Sequence, residues 1–304
     1  MSAPHDGKPG GLVRPFLVAM LLARLMDPLH AADELVRRQK SFIRELYERR
    51  DYFNCIAETR RLLNTAPGLA ERDAYLYFIE ANYFLAGQYR TVIENNKSKA
   101  VTGENLPYIL LASTASGRIG RYDAGMGILE ALDPALLGAD DRCRLLTAKS
   151  RLFVEAGLFE RAYEELRRGA EYASCARLAG LGEALGGYRE LSRRSGILAA
   201  ILSAILPGAG QAYAGRCADG AVSLISVAAL VSGAFLCFHH RERALGGTLA
   251  VAASLVYAGN VYGAYNATAR HNAAEDDRFR ARLIERHIPA FDPMEGVDLD
   301  QLTQ

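Results

Sequence analysis

The sequence predicts an all-α protein in which a domain of helical repeats precedes a transmembrane helical hairpin. Three observations lead there. Tryptophan is absent and proline numbers only 10 in 304 residues, while alanine, leucine and arginine recur, a composition that favours helices over pleated strands. An aromatic landmark returns at a nearly constant interval through the middle of the chain, and the last third holds three long runs without a charge.

Charge and cysteine usage narrow the function classes. With 36 basic against 35 acidic residues and a net charge of +1, the chain lacks the clustered basic surface that nucleic acid requires. Cys55, Cys143, Cys175, Cys217 and Cys237 are odd in number and never closer than 20 residues. That spacing excludes a local CxxC metal site and a complete disulfide framework, and leaves small buried hydrophobes as the expectation.

At the N-terminus, Lys8 and Arg14 precede an apolar run from Pro15 to Ala23, followed by Arg24, Asp27, the small pair Ala31-Ala32 and the acidic start Asp33-Glu34. This is the three-part layout of a secretory signal peptide, assigned here to residues 1–32. Arg24 closes the apolar run too early for a span. An uncleaved amphipathic anchor and an ordinary first helix are the alternatives.

Residues 33–192 are read as the repeat domain. Between Gln39 and Tyr172 a helical run, a small or charged turn residue, an aromatic and a second helical run return four times. The landmarks Tyr52, Tyr89, Tyr122 and Phe159 stand 37, 33 and 37 residues apart, the period of stacked helix-turn-helix units. Gly87, Gly120 and Gly157 occupy three of the four turns, where the chain leaves one helix and enters another. Each unit carries apolar residues at helical spacing, such as Leu145, Leu152 and Phe153, then Phe159, Tyr163 and Leu166. One helix pair cannot bury both faces, whereas stacked neighbours share a core.

These units resemble the tetratricopeptide repeat (TPR) family. The fourth unit matches best, with Gly157, Phe159 and Ala162 at the turn and in the helix after it, and Pro67 falls where the family ends a second helix. Cys55, Val92 and Gly125 stand where the family prefers alanine, and its early tryptophan is missing, which leaves another alpha-solenoid open. The resemblance implies an all-α, TPR-like alpha-solenoid whose surface takes a protein partner. The competing reading is a spacer or oligomerisation element. The aromatics Tyr75, Tyr77, Phe78, Tyr83 and Phe84 are expected in the core, and Arg44, Arg49, Arg60 and Arg61 on a solvated face.

Residues 193–269 are read as a transmembrane module. Gly196 to Gly215, Gly220 to Phe238 and Ala244 to Ala269 run for 20, 19 and 26 residues without Asp, Glu, Lys or Arg, and about 20 helical residues cross a bilayer core. Pro207-Gly208-Ala209-Gly210 breaks the first run, with Gln211 and Tyr213 adding polar groups. Two spans follow, Gly220 to Phe238 and Ala244 to Tyr265, or three if the first run also crosses. Small residues at Gly246, Gly247, Ala250, Ala253 and Ser254 permit close helix approach.

The stretch containing Pro207, Gly208, Gly210, Gln211, Tyr213 and Gly215, followed by Gly220 and an apolar span, resembles a bacterial membrane module of the TM-two (two-transmembrane) domain family. The resemblance implies residence in a bacterial inner membrane and brings no catalytic residue. A phosphate-binding loop is disfavoured, since no Lys-Ser or Lys-Thr follows the glycines. The basic connection His239-His240-Arg241-Glu242-Arg243 is expected in the cytoplasm, which sets the repeat domain outside it if only two spans cross. Adjacent histidines diverge by about 100° on a helix and make a poor metal pair. Residues 270–304 are read as a polar tail: a short solvated helix to His287, lying against the bilayer through Phe279 and Leu283, then a disordered acidic end after Pro289.

No nucleophile-base pair or metal spacing is recognisable, so the expectation is a non-enzyme with no cofactor, no metal and no small-molecule substrate. The leading expectation is a membrane-anchored scaffold or adaptor with a protein partner and the lipid bilayer as its surroundings. The alternative is a membrane-embedded transport or assembly component, regulated by the repeats, with the break at Pro207 as its working part.

Overall fold

A computed structural model describes residues 33–171, 175–178 and 180–303, so the expected signal segment at 1–32 lies outside the described residues. Every regular element among them is helical. The chain divides into two compact units, one running to Leu137 and taking in the segment from Ala290 onward, the other formed by Gly138–Pro289.

The first unit contains α1 (residues 33–48), α2 (Tyr52–Thr65), α3 (Arg72–Leu85), α4 (Tyr89–Asn96), α5 (Leu106–Arg118) and α6 (Tyr122–Glu130). Successive helices pack in order, and α3 also meets α5, two helices further on. Ile43, Leu62, Tyr75 and Phe78 centre one apolar cluster, and Tyr77, Phe84, Val92 and Leu111 centre the next.

The second unit contains α7 (Ala139–Glu155), α8 (Phe159–Gly169), α9 (Leu181–Gly186), α10 (Gly196–Ile205), α11 (Ala209–Tyr213), α12 (Cys217–His239) and α13 (Arg243–His287). The first unit is completed by α14 (Leu299–Thr303).

One turn explains the periodic landmarks. Arg50, Gly87, Gly120 and Gly157 have φ of 61°, 73°, 74° and 75°. Each donates its N–H to the carbonyl three residues back, at 2.9–3.0 Å, and the next residue donates to the carbonyl five back, as Gln88 does to Tyr83 at 2.9 Å and Leu158 to Phe153 at 2.8 Å. This double closure uses up carbonyls that a helix end leaves without partners, and its left-handed residue is where glycine lacks the Cβ penalty. The second helix restarts one residue later, at Tyr52, Tyr89, Tyr122 or Phe159. Three positions on, Cys55, Val92, Gly125 and Ala162 are buried. The same closure recurs at Gly215 (φ 83°) before α12 and at Arg241 (φ 65°) before α13.

The fourth helix pair, α7 and α8, lies in the second unit with α12 and α13, and the segment from Ala290 onward lies in the first. Three expectations are corrected. Cys143 and Cys175 form a disulfide, because the segment after α8 returns to the first turns of α7, 32 residues away in sequence; Cys55 is a free, buried thiol, Cys217 is exposed and Cys237 half-buried. The separate tail helix is absent. Instead α13 runs unbroken for 45 residues, roughly 68 Å at the α-helical rise, and Phe279 is buried against Phe159 and Tyr188, with ring centroids 5.2 and 5.4 Å away. Protein aromatics, not lipid, cover it. The described segment after Pro289 is ordered through apolar burial: Leu302 is 3% exposed.

Two helices, α12 and α13, are long and apolar enough to cross a membrane. Within their most apolar windows only 11% and 17% of residues are buried, which is unlike the core helix of a water-soluble domain. Helix α10 spans 10 residues and is too short to cross.

Candidate functional site

Two constellations stand out, one in each unit. In the first unit, α3 lines a groove that residues 291–302 fill. Its sequence RDAYLYFIEANYFL sets Tyr77 and Phe84 two helical turns apart on one face. The Tyr77 hydroxyl donates to the Pro293 carbonyl at 2.9 Å, and the Tyr75 hydroxyl donates to the Leu302 carbonyl. Phe84 meets Phe291 edge to face at 5.4 Å. Met294 and Val297 pack against both apolar clusters, while Leu302 enters the first among Ile43, Leu62 and Phe78.

The segment is shaped by its own polar side chains. Asp292 accepts from the Met294 N–H at 2.8 Å, and Asp298 accepts from the Asp300 N–H at 2.9 Å at the start of α14. Such aspartate turns favour a compact, non-repetitive path. At the rim, Arg44 pairs with Asp300 at 2.6 Å and with Glu48 at 2.9 Å, and the hydrogen bonds to Glu48 and Asp300, with the charge of both, hold its guanidinium pKa up. Burial pushes the Tyr75 hydroxyl above its usual range and that of Tyr108 up to about 12, so both remain donors. A cavity of about 290 Å³ persists between Glu71, Tyr77 and Tyr108 on the helices and Gly296, Val297 and Asp298 of the segment.

In the second unit the glycine-rich break forms a neutral polar node. Gly208 has φ of 90°, and its N–H donates to Asn260 Oδ1 at 3.1 Å; the Gly210 N–H donates to Ser203 Oγ at 3.0 Å. Ser203 Oγ in turn donates to Gln211 Oε1 at 2.9 Å, and Gln211 Nε2 donates to Asn260 Oδ1 at 2.8 Å and to its carbonyl at 2.9 Å. Asn260 Nδ2 closes the circuit on the Ser203 carbonyl at 3.3 Å. All three side chains are at most 6% exposed. Backbone donors freed by the break thus find partners without water, the condition for irregular backbone at bilayer depth.

The other motif residues hold the same turn together. A Cβ at Gly220 would come within 2.5 Å of the Gly208 carbonyl, and one at Gly210 would meet Ser203 Oγ at 2.6 Å and Ala264 Cβ at 2.7 Å. Tyr213 accepts from the Ser195 N–H at 3.2 Å through its hydroxyl, and its carbonyl takes Arg194 Nη1 at 2.5 Å. Gly215 supplies the left-handed turn into α12. Pro207 follows Leu206, the residue that closes α10, and opens the break.

The structure therefore brings Gly208, Gly210, Gln211, Tyr213, Gly215 and Gly220 into one corner, whereas Tyr52, Gly87, Tyr89, Gly120, Tyr122, Gly157, Phe159 and Ala162 remain distributed, one turn per helix pair. Sequence reasoning missed Ser203, Asn260, Phe291, Met294 and Leu302. The signal for Asn260 was a lone amide inside an apolar run; the segment after Pro289 carried only scattered hydrophobes among acids. Among the described residues, no three His, Cys, Asp or Glu side chains gather as a metal site would require. Compared with family models, curated proteins and solved structures, the chain matches none.

Proposed function

We propose that the protein is a membrane-anchored adaptor: a TPR-like alpha-solenoid recruits a protein partner, and the α12–α13 hairpin tethers it to a bacterial inner membrane. The observation that carries this reading is the α3 groove, which already holds an irregular polypeptide segment through tyrosine hydroxyls on backbone carbonyls and apolar anchors in pockets. Stacked helical repeats commonly use such concave surfaces to bind partners. The recurring turn and the packing of α3 on α5 support the solenoid form.

The exposed apolar faces of α12 and α13 support the tether. Phe279 on the far part of α13 packs with Phe159 of α8, which supports a reading with both flanks of the hairpin on one side of the membrane and two spans. The basic connection at Arg241 and Arg243 argues for the cytoplasm on the other side, and the Cys143–Cys175 disulfide suits an oxidising compartment for α7 and α8. The transport alternative is disfavoured by a node whose three side chains are neutral and satisfy one another, since transport pathways are marked by ionisable groups or a water-lined cavity.

Crosslinking and capture with the full chain tests the proposal, set beside a variant carrying Tyr77→Ala and Phe84→Ala. Specific partners that the variant loses support it; the same set, or none, for both proteins defeats it. Reporter fusions at about residue 241 and residue 290 test the topology, with opposite compartments expected.

A further inference from the structure

Helix α10 runs antiparallel to α13, and its contacts fix the register. At its start the Arg194 N–H donates to Asn272 Oδ1 at 3.0 Å, and Asn272 Nδ2 donates back to the Arg194 carbonyl at 2.9 Å. A Cβ on Gly196 would come within 2.8 Å of the Tyr265 ring. At the far end Asn260 Nδ2 donates to the Ser203 carbonyl at 3.3 Å, and the Tyr257 hydroxyl donates to the Ala204 carbonyl. Between the levels of Tyr265 and Tyr257, α10 descends about 12 Å beside the uncharged stretch of α13. Helix α11 then climbs back: Gly210 packs on Ala199, and the Tyr213 hydroxyl takes the Ser195 N–H at 3.2 Å.

The two faces of α10 are reversed relative to a helix in water. Ala199 and Ser203 face the protein and are fully buried, whereas Ile197, Ile201 and Ile205, four residues apart, are 69%, 51% and 78% exposed, with Leu206 beside them. Water disfavours a contiguous apolar face of this kind. The tip carries a second, independent sign. Pro207 has no N–H to offer the Ser203 carbonyl, and the Gly208 N–H turns away to Asn260 Oδ1 at 3.1 Å, which frees the Ala204 carbonyl. Both carbonyls take side-chain donors instead, even though Ala204 is exposed. Such substitution is required of broken backbone where water is absent.

We infer that α10 and α11 form a re-entrant element that dips into one leaflet, on the side of Arg194 and Arg216, and offers Ile197, Ile201, Ile205 and Leu206 to its acyl chains without crossing. The inference rests on the tether reading and adds to it a lipid contact confined to one leaflet. A descent of about 12 Å reaches close to the middle of a hydrocarbon core roughly 30 Å thick. A second protein copy fits this face less well than lipid does. Helices associate in membranes through small residues, and Gly196 and Ala199 are already used against α13 and α11.

The chain holds no tryptophan, so a single introduced one reports alone. Full-length Ile205→Trp and Ile197→Trp are placed in phosphatidylcholine and phosphatidylglycerol vesicles whose acyl chains are brominated either near the headgroup or near the methyl end, and acrylamide serves as the quencher from water. Val231→Trp on the exposed face of α12 is the lipid control, and Leu136→Trp, at a site 82% exposed in the first unit, is the water control. Bromine should quench Ile205→Trp several-fold more than Leu136→Trp, most strongly from the methyl end. Ile197→Trp should be quenched best from the headgroup end. Should Ile205→Trp fail to fold, Ile201→Trp, one turn higher on the same face, takes its place.

Equal depth for Ile197→Trp and Ile205→Trp would lay the helix along the surface and overturn the inference. Shielding of Ile205→Trp from bromine and acrylamide alike would assign the face to protein and overturn it too. Acrylamide reaching Ile205→Trp while Val231→Trp stays in lipid sinks the re-entrant element and leaves the tether standing. Acrylamide reaching both sinks the tether, and the inference with it.

Discussion

The hydroxyl of Tyr77 donates to the carbonyl of Pro293 at 2.9 Å, joining residues separated by 216 positions in the chain. Replacing Tyr77 with phenylalanine leaves that carbonyl buried without a donor, a loss of about 1–3 kcal/mol. The loss falls on docking of the C-terminal segment. Amide exchange should quicken in residues 290–303, with α5 and α6 unchanged; protection that stays the same would show that water takes over the bond.

The recurring turn separates backbone strain from packing. Arg50 holds the left-handed position that glycine holds in the other three repeat turns, and an L-residue there carries roughly 1 kcal/mol of strain. Arg50→Gly should raise Tm by a few degrees. Gly87→Ala should lower it similarly, although its Cβ would touch nothing within 4 Å. Calorimetry or circular dichroism distinguishes the two, and equal signs would contradict the assignment.

At the glycine-rich corner, Gly210→Ala drives a methyl group against the Ala199 carbonyl as well as Ser203 Oγ and Ala264 Cβ, and because the first of these is backbone the cost is at least the roughly 1–3 kcal/mol of side-chain overpacking. Gly259→Ala on α13 meets nothing within 4 Å and serves as the control. Thermal inactivation in detergent should come earlier for the first variant only.

Cys143 and Cys175 close a loop with a sequence separation of 32, and a loop of that size contributes about 3–4 kcal/mol by constraining the unfolded chain. Oxidised protein should run faster than reduced protein on a denaturing gel. The Cys143→Ser/Cys175→Ser variant should unfold at lower denaturant, with the loss confined to the second unit.

Burial pushes the Cys55 thiol up to about 12. A raised thiol pKa shrinks the thiolate fraction at pH 8, and only the thiolate alkylates readily. Iodoacetamide should therefore label exposed Cys217 in the native protein and spare Cys55 until denaturant is added, as peptide mass mapping would show. Early labelling of Cys55 would mean that α1 and α2 do not pack as described.

Local rules made much of this fold legible. Gly87, Gly120 and Gly157 announced their turns, and Tyr52 betrayed the one closed by Arg50, because the aromatic that restarts a helix keeps its distance even where glycine is lost. Pro207 and Gly208 marked the break. What stayed hidden was long-range. Phe291, Met294, Val297 and Leu302 are interrupted by Pro293 and Gly296 and mixed with acids, so their hydrophobicity reads as scatter until α3 supplies pockets. Asn260 lies 49 residues from Gln211, and nothing local couples two amides at that range. The disulfide was equally invisible, since pairing depends on where α8 delivers the chain.

The unbroken backbone of α13 has a mechanical corollary. A helix that runs without a break and holds no proline lacks the usual hinge, so its apolar stretch and the stretch that grips Phe159 and Tyr188 belong to a single rod. If the apolar stretch spans a bilayer, as proposed above, a change of thickness that tilts it is passed along the same helix to Phe279 and from there to α8.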